Sequence, residues 1–334
     1  MSTFSTPNQV IEQFAEQIKQ ANIDKQTIQI TGNQSKVPLG IEDFNGLPVQ
    51  ELNISNYSGI IEYEPAELVV TVKAGTPLTE LQAALAERNQ MLAFEPPDYG
   101  NSTIGGTYAV GLTGPSKPFR GILRDFVLGT KLIDGQGRQL GFGGKMIKNV
   151  AGYDVSRMLV GSKGSMALIT EMSLKVIPLA VEVTYCIEMP ENEAILLMNK
   201  MAGTALPMTG GAYYQGRFYY RVAGEHPLQT NQVGVRECDN SVWVTLNPFR
   251  PELESGEKLW RVDVESTNPA IENTIAVGMG GTRRWVASPN KPNHPYVTLW
   301  QTRFAPRHND TPCVQKIKLG LRDVFDPNHI FKQL

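Results

Sequence analysis

Two stretches of this chain carry residue types suited to holding a polyanion or a flat aromatic ligand. One is the loop Gly32, Asn33, Gln34, Ser35, Lys36, which follows the short β-branched run Thr27 to Ile30. A strand running into such a loop can form a nest of backbone N–H groups, and the Ser hydroxyl and Lys ammonium would assist in binding phosphate. An ordinary surface turn has the same composition, because a single glycine is short of a phosphate-binding fingerprint. The other stretch runs from Phe94 to Val176. Of the 31 glycines in the chain, 15 lie between Gly100 and Gly164, where average usage of about 7% would put roughly five. Within it Ser102, Thr103, Ile104, Gly105 and Gly106 set two hydroxyls beside paired glycines, whose N–H groups would be open to an anion or to the polar edge of a ring system. Gly111 and Gly114 continue the irregular path. A turn-rich β domain whose glycines serve only its corners also fits this composition.

Other chemistries are poorly supplied. Cys186, Cys238 and Cys313 are odd in number and match no CxxC or ferredoxin spacing, so neither a disulfide framework nor an iron–sulfur cluster is expected. The four histidines, His226, His294, His308 and His329, form no HxxxH or HExxH pair, so no metal site is expected. The 334 residues are 41% hydrophobic and 19% charged with a formal net charge of -2, which describes a globular protein rather than a nucleic-acid or anionic-membrane binder. There is no apolar run of membrane-spanning length, and the N-terminal MSTFSTPNQVIEQF lacks a signal-peptide pattern. The cytoplasm is the expected compartment.

The elements that must position these loops are clearest in the first half. Val10, Ile11, Phe14, Ile18 and Ala21 recur at helical spacing within Thr6 to Asn22, behind Pro7. Ile60 to Glu64 and Leu68 to Lys73 read as strands around a Pro65 turn, and Thr76-Pro77 opens a helix with Leu78, Leu81 and Leu85 on one face. A strand from Phe126 to Leu132 meets a hairpin turn at Asp134-Gly135. Asp154 caps a short helix that Gly161 ends, and Met166 to Val176 alternate as a half-buried strand. Beyond Pro178, strands are expected at Val181 to Ile187, Tyr213 to Val222, Val242 to Leu246, Trp260 to Val264 and Tyr296 to Trp300. Helices are expected at Glu191 to Met201 and Thr311 to Val324, with FDPNHIF as an extended tail.

The order EPAELVVTVKAGTPLTELQAAL, PPDYGNSTIGG, RDFVLGTKLIDGQG, KNVAGYDVSRMLVGSKGSMALITEMSLKV resembles the vanillyl-alcohol-oxidase-type, or PCMH-type, FAD-binding domain. More narrowly, FEPPDYG, GLTGP, MIKNVAGYDVSRMLVGS and FDPNHIF are similar to the small FAD-binding subunits of bacterial glycolate dehydrogenases. The resemblance implies an α+β fold: a two-part FAD-binding domain over residues 1–180, a smaller α+β cap-like domain over 181–310, and a C-terminal helix and tail (311–334) packing back on the first. It implies Gly32, Asn33, Gln34, Ser35 and Lys36 as the pyrophosphate loop and Pro97 and Gly100 along the cofactor. Ser102, Thr103, Ile104, Gly105 and Gly106 would meet pyrophosphate and flavin, Gly111 and Gly114 would border the isoalloxazine, and the Gly161 to Ile169 segment, with Gly161, Gly164, Leu168 and Ile169, would face the pyrimidine edge. No His or Cys precedes Cys186, so the FAD is expected to be non-covalent.

Two departures bear on function. Asn33 and Gln34 stand where relatives run to glycine, and the tail ends Lys332, Gln333, Leu334 instead of continuing Asn-Pro-Gly. The resemblance implies a subunit of a multi-subunit glycolate dehydrogenase, with a larger catalytic flavoprotein subunit and an iron–sulfur subunit as partners, either free in the cytoplasm or held at the inner membrane through them. A cofactor-free assembly subunit, or a stand-alone flavin oxidoreductase for 2-hydroxy acids, are the alternatives. The last would need a cation and a base; Arg261, Arg283, Arg284, His294 and Arg303 are available but form no spaced constellation, and no catalytic residue is assigned.

Overall fold

The computed structural model describes residues 7–35, 49–144, 154–224, 234–300 and 312–332. The helix Pro7–Ile23 buries Phe14, Ala15, Ile18 and Ala21 beside a parallel strand pair, Thr27–Thr31 with Val49–Asn53. Next to this pair lies a five-stranded antiparallel sheet in the order Ile60–Glu64, Val69–Lys73, Leu168–Lys175, Val127–Ile133, Gln139–Gly143. One hydrophobic core joins them, from Ile18 and Ile28 through Leu78, Leu81 and Leu85 to Leu168 and Leu174.

Local signals differ from the sequence reading at two points here. Leu168–Lys175 was expected to be half-buried, yet six of its eight residues are buried, Thr170 and Ser173 included. It is the central strand, covered on both faces, and Ser173 shares a 2.9 Å hydrogen bond with Thr71 on the neighbouring strand. The helix Leu78–Ala86 follows Pro77 without a side-chain cap. Thr76 instead donates its hydroxyl to Lys73 O (2.7 Å) and accepts from Gly59 N (2.9 Å), fixing the turn that precedes the helix. Asp154 does cap its short helix, accepting from Arg157 N.

The C-terminal segment returns to this core. After the helix Pro312–Phe325, the Asp326 carboxylate accepts from Ile330 N and Phe331 N at 2.9 Å each. Phe331 pairs in parallel with Ile28, whose N–H donates to Ile330 O and whose carbonyl accepts from Lys332 N, both at 2.7 Å. Phe325, Ile330 and Phe331 are buried in the first core. The tail contact is therefore made within Phe325 to Lys332; Gln333 and Leu334 lie outside the described residues.

Residues 182–299 build an eight-stranded antiparallel sheet. Its order is Arg236–Cys238, Glu182–Glu188, Arg217–Ala223, Met208–Tyr214, Thr274–Gly278, Arg283–Ser288, Lys258–Asp263, Val297–Leu299. The expected single strand Tyr213 to Val222 is a hairpin: Gln215 and Gly216 sit at φ 48 and 77, the paired positive values a tight hairpin turn requires. The expected strand Val242 to Leu246 is a helical turn, Ser241–Thr245. Trp243 docks there with its indole N–H on Thr184 Oγ1 (2.7 Å) and its ring beneath Arg221 (5.2 Å), and this packing overrides β-propensity. Cys186 and Cys238, expected to be unlinked, are joined by a disulfide, because the pairing of Glu182–Glu188 with Arg236–Cys238 brings their Cα atoms to 6.1 Å.

An ionic square fastens the sheet to the first half. Glu95 lies 2.5 Å from Arg221 and 3.6 Å from Arg120, while Glu182 lies 2.6 Å from Arg120 and 3.2 Å from Arg221. All four side chains are nearly buried, at 8–13% exposure, so the charges depend on one another for solvation. Ser116 N donates to the other Glu95 oxygen (3.1 Å) and Asn247 donates its amide to Glu95 O (3.0 Å). The square thus holds the loop that leads into PPDYG.

Candidate functional site: a cofactor cleft

Three segments meet in one cleft between the parallel strand pair and the five-stranded sheet. The first is the loop after Thr27–Thr31. Its Gly32 lies against Thr103 so closely that a Cβ would be 2.7 Å from Thr103 Oγ1, and any side chain there would force the Thr103 cap to shift. Gln34, not Asn33, takes the left-handed conformation, at φ 52. Its amide donates to Glu51 Oε1 at 2.7 Å, and Thr31 Oγ1 donates to the same oxygen at 2.6 Å. The Thr31 bond is the main cause holding the Glu51 carboxyl below its ordinary pKa, against a smaller upward push from burial. Ser35 Oγ lies 3.1 Å from Ser102 Oγ, both buried, tying the first loop to the second. Lys36 lies outside the described residues.

The second segment is an Asp98 turn, where the carboxylate accepts from Gly100 N and Ser102 N, followed by the helix Ile104–Val110 capped by Thr103. The N–H groups of Ile104, Gly105 and Gly106 are taken up by Thr76 O, Ala74 O and Thr103 Oγ1 at 2.8–3.1 Å. These glycines therefore present close backbone surface rather than donors. Gly105 is required by approach, since a Cβ there would stand 2.7 Å from Ala74 Cβ and Ala74 O. The third segment is the turn Ser162 to Gly164, where Lys163 (φ 57) and Gly164 (φ 73) are left-handed and Lys163 N donates to Ala109 O at 2.7 Å.

The cleft thus gathers Gly32, Asn33, Gln34, Ser35, Thr103, Gly105, Gly106, Gly164 and Ile169 of the residues singled out in the sequence. The others serve elsewhere. Ser102 links the loops from beneath, Ile104 and Leu168 are fully buried core, and Gly100 is exposed. Gly111 ends the helix at φ 69, where its Cβ would touch Gly161 Cα at 3.3 Å. Gly161 donates to Tyr108 O, Gly114 lies under Glu95 O, and Pro97 lines a different cavity. Sequence reasoning passed over Ala74, Ala109 and Val110, which also line the cleft, and included Lys163 only as part of the Gly161 to Ile169 segment. Ala109 and Val110 stand four residues after Gly105 and Gly106, a helical spacing that could have identified them.

The floor of the cleft carries little beyond methyl groups, at Ala74, Gly105, Gly106, Ala109 and Ala167, with Ile30, Ile54 and Ile169 at its sides. Thr31, Asn33, Gln34, Ser35, Ser162 and Lys163 supply the polar lining. A close-backed apolar lining beside polar loop residues and a lysine suits a dinucleotide that carries a ring system at one end. The residues fit an FAD.

The described Arg and His candidates divide. Arg284 is wholly buried and structural, donating to Gly281 O and to Asn268 O (2.9 Å); burial lowers its pKa and Glu191 raises it. His294 is partly buried beside Tyr296. Arg261 and Arg283 meet across Asp263, and Arg303 lies outside the described residues. Among the described residues no cluster of metal-ligating side chains occurs, and no helix is long and apolar enough to cross a membrane.

Comparison with known proteins agrees with this geometry. A family model described as an FAD binding domain matches residues 9–143. An alkyldihydroxyacetonephosphate synthase structure superposes over 96% of this chain and 74% of its own, with a TM-score of 0.66 at 13% identity, which establishes a shared fold. The architecture is that of a PCMH-type FAD-binding domain with further α+β structure, and the FAD-binding family together with the glycolate oxidase relative that follows makes the chain one of the FAD-dependent oxidoreductase class. The glycolate oxidase subunit GlcE of Escherichia coli (strain K12) is 38% identical over 288 residues, 83% of this chain and 81% of that protein. The chain belongs to the GlcE family. The glycolate oxidase subunit GlcD of Bacillus subtilis (strain 168) is 32% identical over 119 residues, 36% of this chain and 25% of GlcD. A D-lactate dehydrogenase of Archaeoglobus fulgidus is 32% identical over 151 residues, 44% of this chain and 34% of that enzyme. This chain thus spans only a quarter to a third of these longer relatives.

Proposed function

We propose that this chain is the FAD-binding subunit of a multi-subunit complex that oxidises glycolate to glyoxylate. The observation that carries the reading is the cleft itself, closed by the Gly32–Thr103 and Gly105–Ala74 contacts in a chain whose relationship to GlcE runs over most of both lengths. Ser35, Asn33 and Lys163 would hold the pyrophosphate, while Ala109, Val110 and the Ser162 to Gly164 turn would enclose the ring-bearing end and keep water from it. When bound, FAD supplies a carrier that takes electrons in pairs and releases them singly. A larger flavoprotein subunit would hold the substrate-oxidising centre, and an iron–sulfur subunit would accept the electrons. We assign residues 1–180 to the cofactor domain, 181–310 to the cap and 311–334 to the returning helix and tail, with the assembly in the cytoplasm or held at the inner membrane by its partners.

One feature favours a second reading, a cofactor-free assembly subunit. Glu51 sits ionised behind the first loop, clasped by Gln34 and Thr31, and a carboxylate there opposes phosphate. The purified chain discriminates between the two. Flavin absorption near roughly 450 nm, released into solution by acid, is expected; a folded, colourless chain that takes up no added FAD would overturn the first reading. Affinity purification from native cells is expected to recover a larger flavoprotein and an iron–sulfur protein, and recovery of neither would sink the partner assignment.

A further inference from the structure

The helix Pro312–Phe325 brings the chain back to the first core, yet of its 14 residues only Phe325 is buried. Ile317 and Val324 are 58% and 62% exposed, and Cys313 and Gly320 are exposed with them. These four stand in one line. Steps of four, three and four residues separate them, the spacing that lays a seam along one side of a helix. Leu321, on the adjoining side, leans on the first core. The helix is therefore held by one side and shows the seam on another. Branched apolar side chains aligned in water between Lys316 and Asp323 have the form of an interaction surface, not of scattered surface residues.

The order of residues along the seam selects its cover. Steps of four, three and four read the same from either end, so a second copy of the helix running antiparallel meets the first in register. Cys313 then lies opposite Val324 of the second copy and Ile317 opposite its Gly320, each pair formed twice about a two-fold axis. Gly320 supplies the hole for the isoleucine knob. A Cβ built there would have nothing within 4 Å, so the space above it is open. Charge agrees with this pairing. Lys316 precedes Ile317 and Asp323 precedes Val324, which puts both on the same flank, and reversal sets the lysine of one copy beside the aspartate of the other. Asp323 already meets His329 Nε2 through Oδ1 at 2.6 Å, and a carboxylate has a second oxygen to offer. Parallel pairing would set Ile317 against Ile317 and Gly320 against Gly320, crowding one level and emptying the next, with neither charge facing its opposite.

We propose that the helix Pro312–Phe325 is a homodimer surface, on which a second copy of this chain packs its own helix antiparallel along Cys313, Ile317, Gly320 and Val324. Two helices of about four turns cover less than the roughly 1,200–2,000 Å² of a standard interface, so association in the micromolar range is expected. The proposal does not rest on the flavin or on the function proposed above.

The full chain is followed by sedimentation velocity from about 1 to 200 μM, a range that brackets such an affinity. A monomer–dimer equilibrium is expected. Ile317→Asp, at an exposed position that leaves the core intact, should weaken it by about tenfold or more. Lys316→Asp should weaken it by about threefold to tenfold, and adding Asp323→Lys to that variant should restore it. Orientation is read from air oxidation on a non-reducing gel. Val324→Cys should yield a covalent dimer through Cys313 of the other copy, and Cys313→Ser in the same chain should abolish it. Wild type should yield none, because the two Cys313 residues of an antiparallel pair lie about 16 Å apart along the helix axis. A chain monomeric at every concentration, a dimer indifferent to Ile317→Asp, or a Cys313 to Cys313 dimer of wild type would each overturn the proposal. A monomer that loses a larger flavoprotein in native-cell purification on Ile317→Asp would give the face to that partner, and a monomer that binds anionic lipid vesicles would give it to a membrane; either result also overturns it.

Discussion

The cofactor cleft and the basic cavity between it and the eight-stranded sheet, walled by Tyr99, Arg283, Trp285 and Trp300, adjoin each other at Val110 and Leu112 but are built from different materials. The cleft is made by backbone: glycines at 32 and 105 press against Thr103 and Ala74, and the N–H groups at 104–106 are satisfied internally. The cavity is made by side chains, with three indoles, a phenol and a cluster of cations brought together from strands, a helical turn and loops far apart in sequence. A close-packed surface of this kind makes each added atom costly in the cleft, whereas one made of projecting side chains can be retuned residue by residue. The difference teaches where variation can enter, in the cavity and not in the cleft.

The two regions can be uncoupled at their joint. Replacing Glu95 with Gln leaves Arg120 and Arg221 short of a buried partner and should cost about 3–5 kcal/mol, read as a fall in urea midpoint. If the cleft and cavity are separate units, FAD release and sheet unfolding should then occur in two transitions; a single transition would show that they stand or fall together. Phe331→Ala acts on the cleft alone by emptying a fully buried site beside Ile28. A loss of about 3–5 kcal/mol is expected, with FAD affinity falling at temperatures where the variant stays folded.

Gly105→Ala tests the backbone surface directly. The new methyl would meet Ala74 at 2.7 Å, and an overpacking cost of about 1–3 kcal/mol is expected, together with reduced flavin occupancy. Wild-type stability and occupancy would show that the helix can shift away. Gln34→Gly works in the opposite direction. It removes the strain of a left-handed glutamine, about 1–2 kcal/mol, but loses the bond to Glu51 and adds freedom to the unfolded chain. A net gain below about 1 kcal/mol is expected, with tighter FAD binding by equilibrium dialysis; weaker binding would show that the Glu51 clasp shapes the loop for the cofactor.

The smallest effect belongs to the cavity. Burial raises Tyr99 to about 12, and Arg250, Arg283 and Arg261 pull it partway down. Because the folded pKa lies above the unfolded value near 10, this group favours the folded state below pH about 10 and loses that contribution as pH rises through about 12. The difference in near-ultraviolet phenolate absorption between wild type and Tyr99→Phe should show this late midpoint, and a midpoint near 10 would mean the cavity is open to water.

The same contrast decides what could be read from sequence. The placing of Gly32 to Ser35 and of Thr103, Gly105 and Gly106 at the cleft was legible because turns and close approaches demand particular residue types locally. Arg261 and Arg283 were visible only as members of an unsorted list. They converge because Lys258–Asp263 pairs with Arg283–Ser288 in the register that sets Asp263 opposite Arg283 and Arg261 opposite Trp285, and no local pattern announces that pairing. Gln215-Gly216 did carry a hairpin signal within an apparent single strand. The helical turn at Trp243 was hidden by β-branched neighbours whose local preference yielded to a tertiary contact.

The pairing of Ile28 with Phe331 has a consequence for how the protein is made. The first strand of the cofactor domain receives its partner at Phe331 only once that late segment has emerged from the ribosome. About 300 residues of synthesis separate the two, which at roughly 5–20 residues per second is a delay on the order of 15–60 s. Until then the core of the cofactor domain lacks Phe325, Ile330 and Phe331, so the domain completes its packing only after the whole intervening eight-stranded sheet has been synthesised.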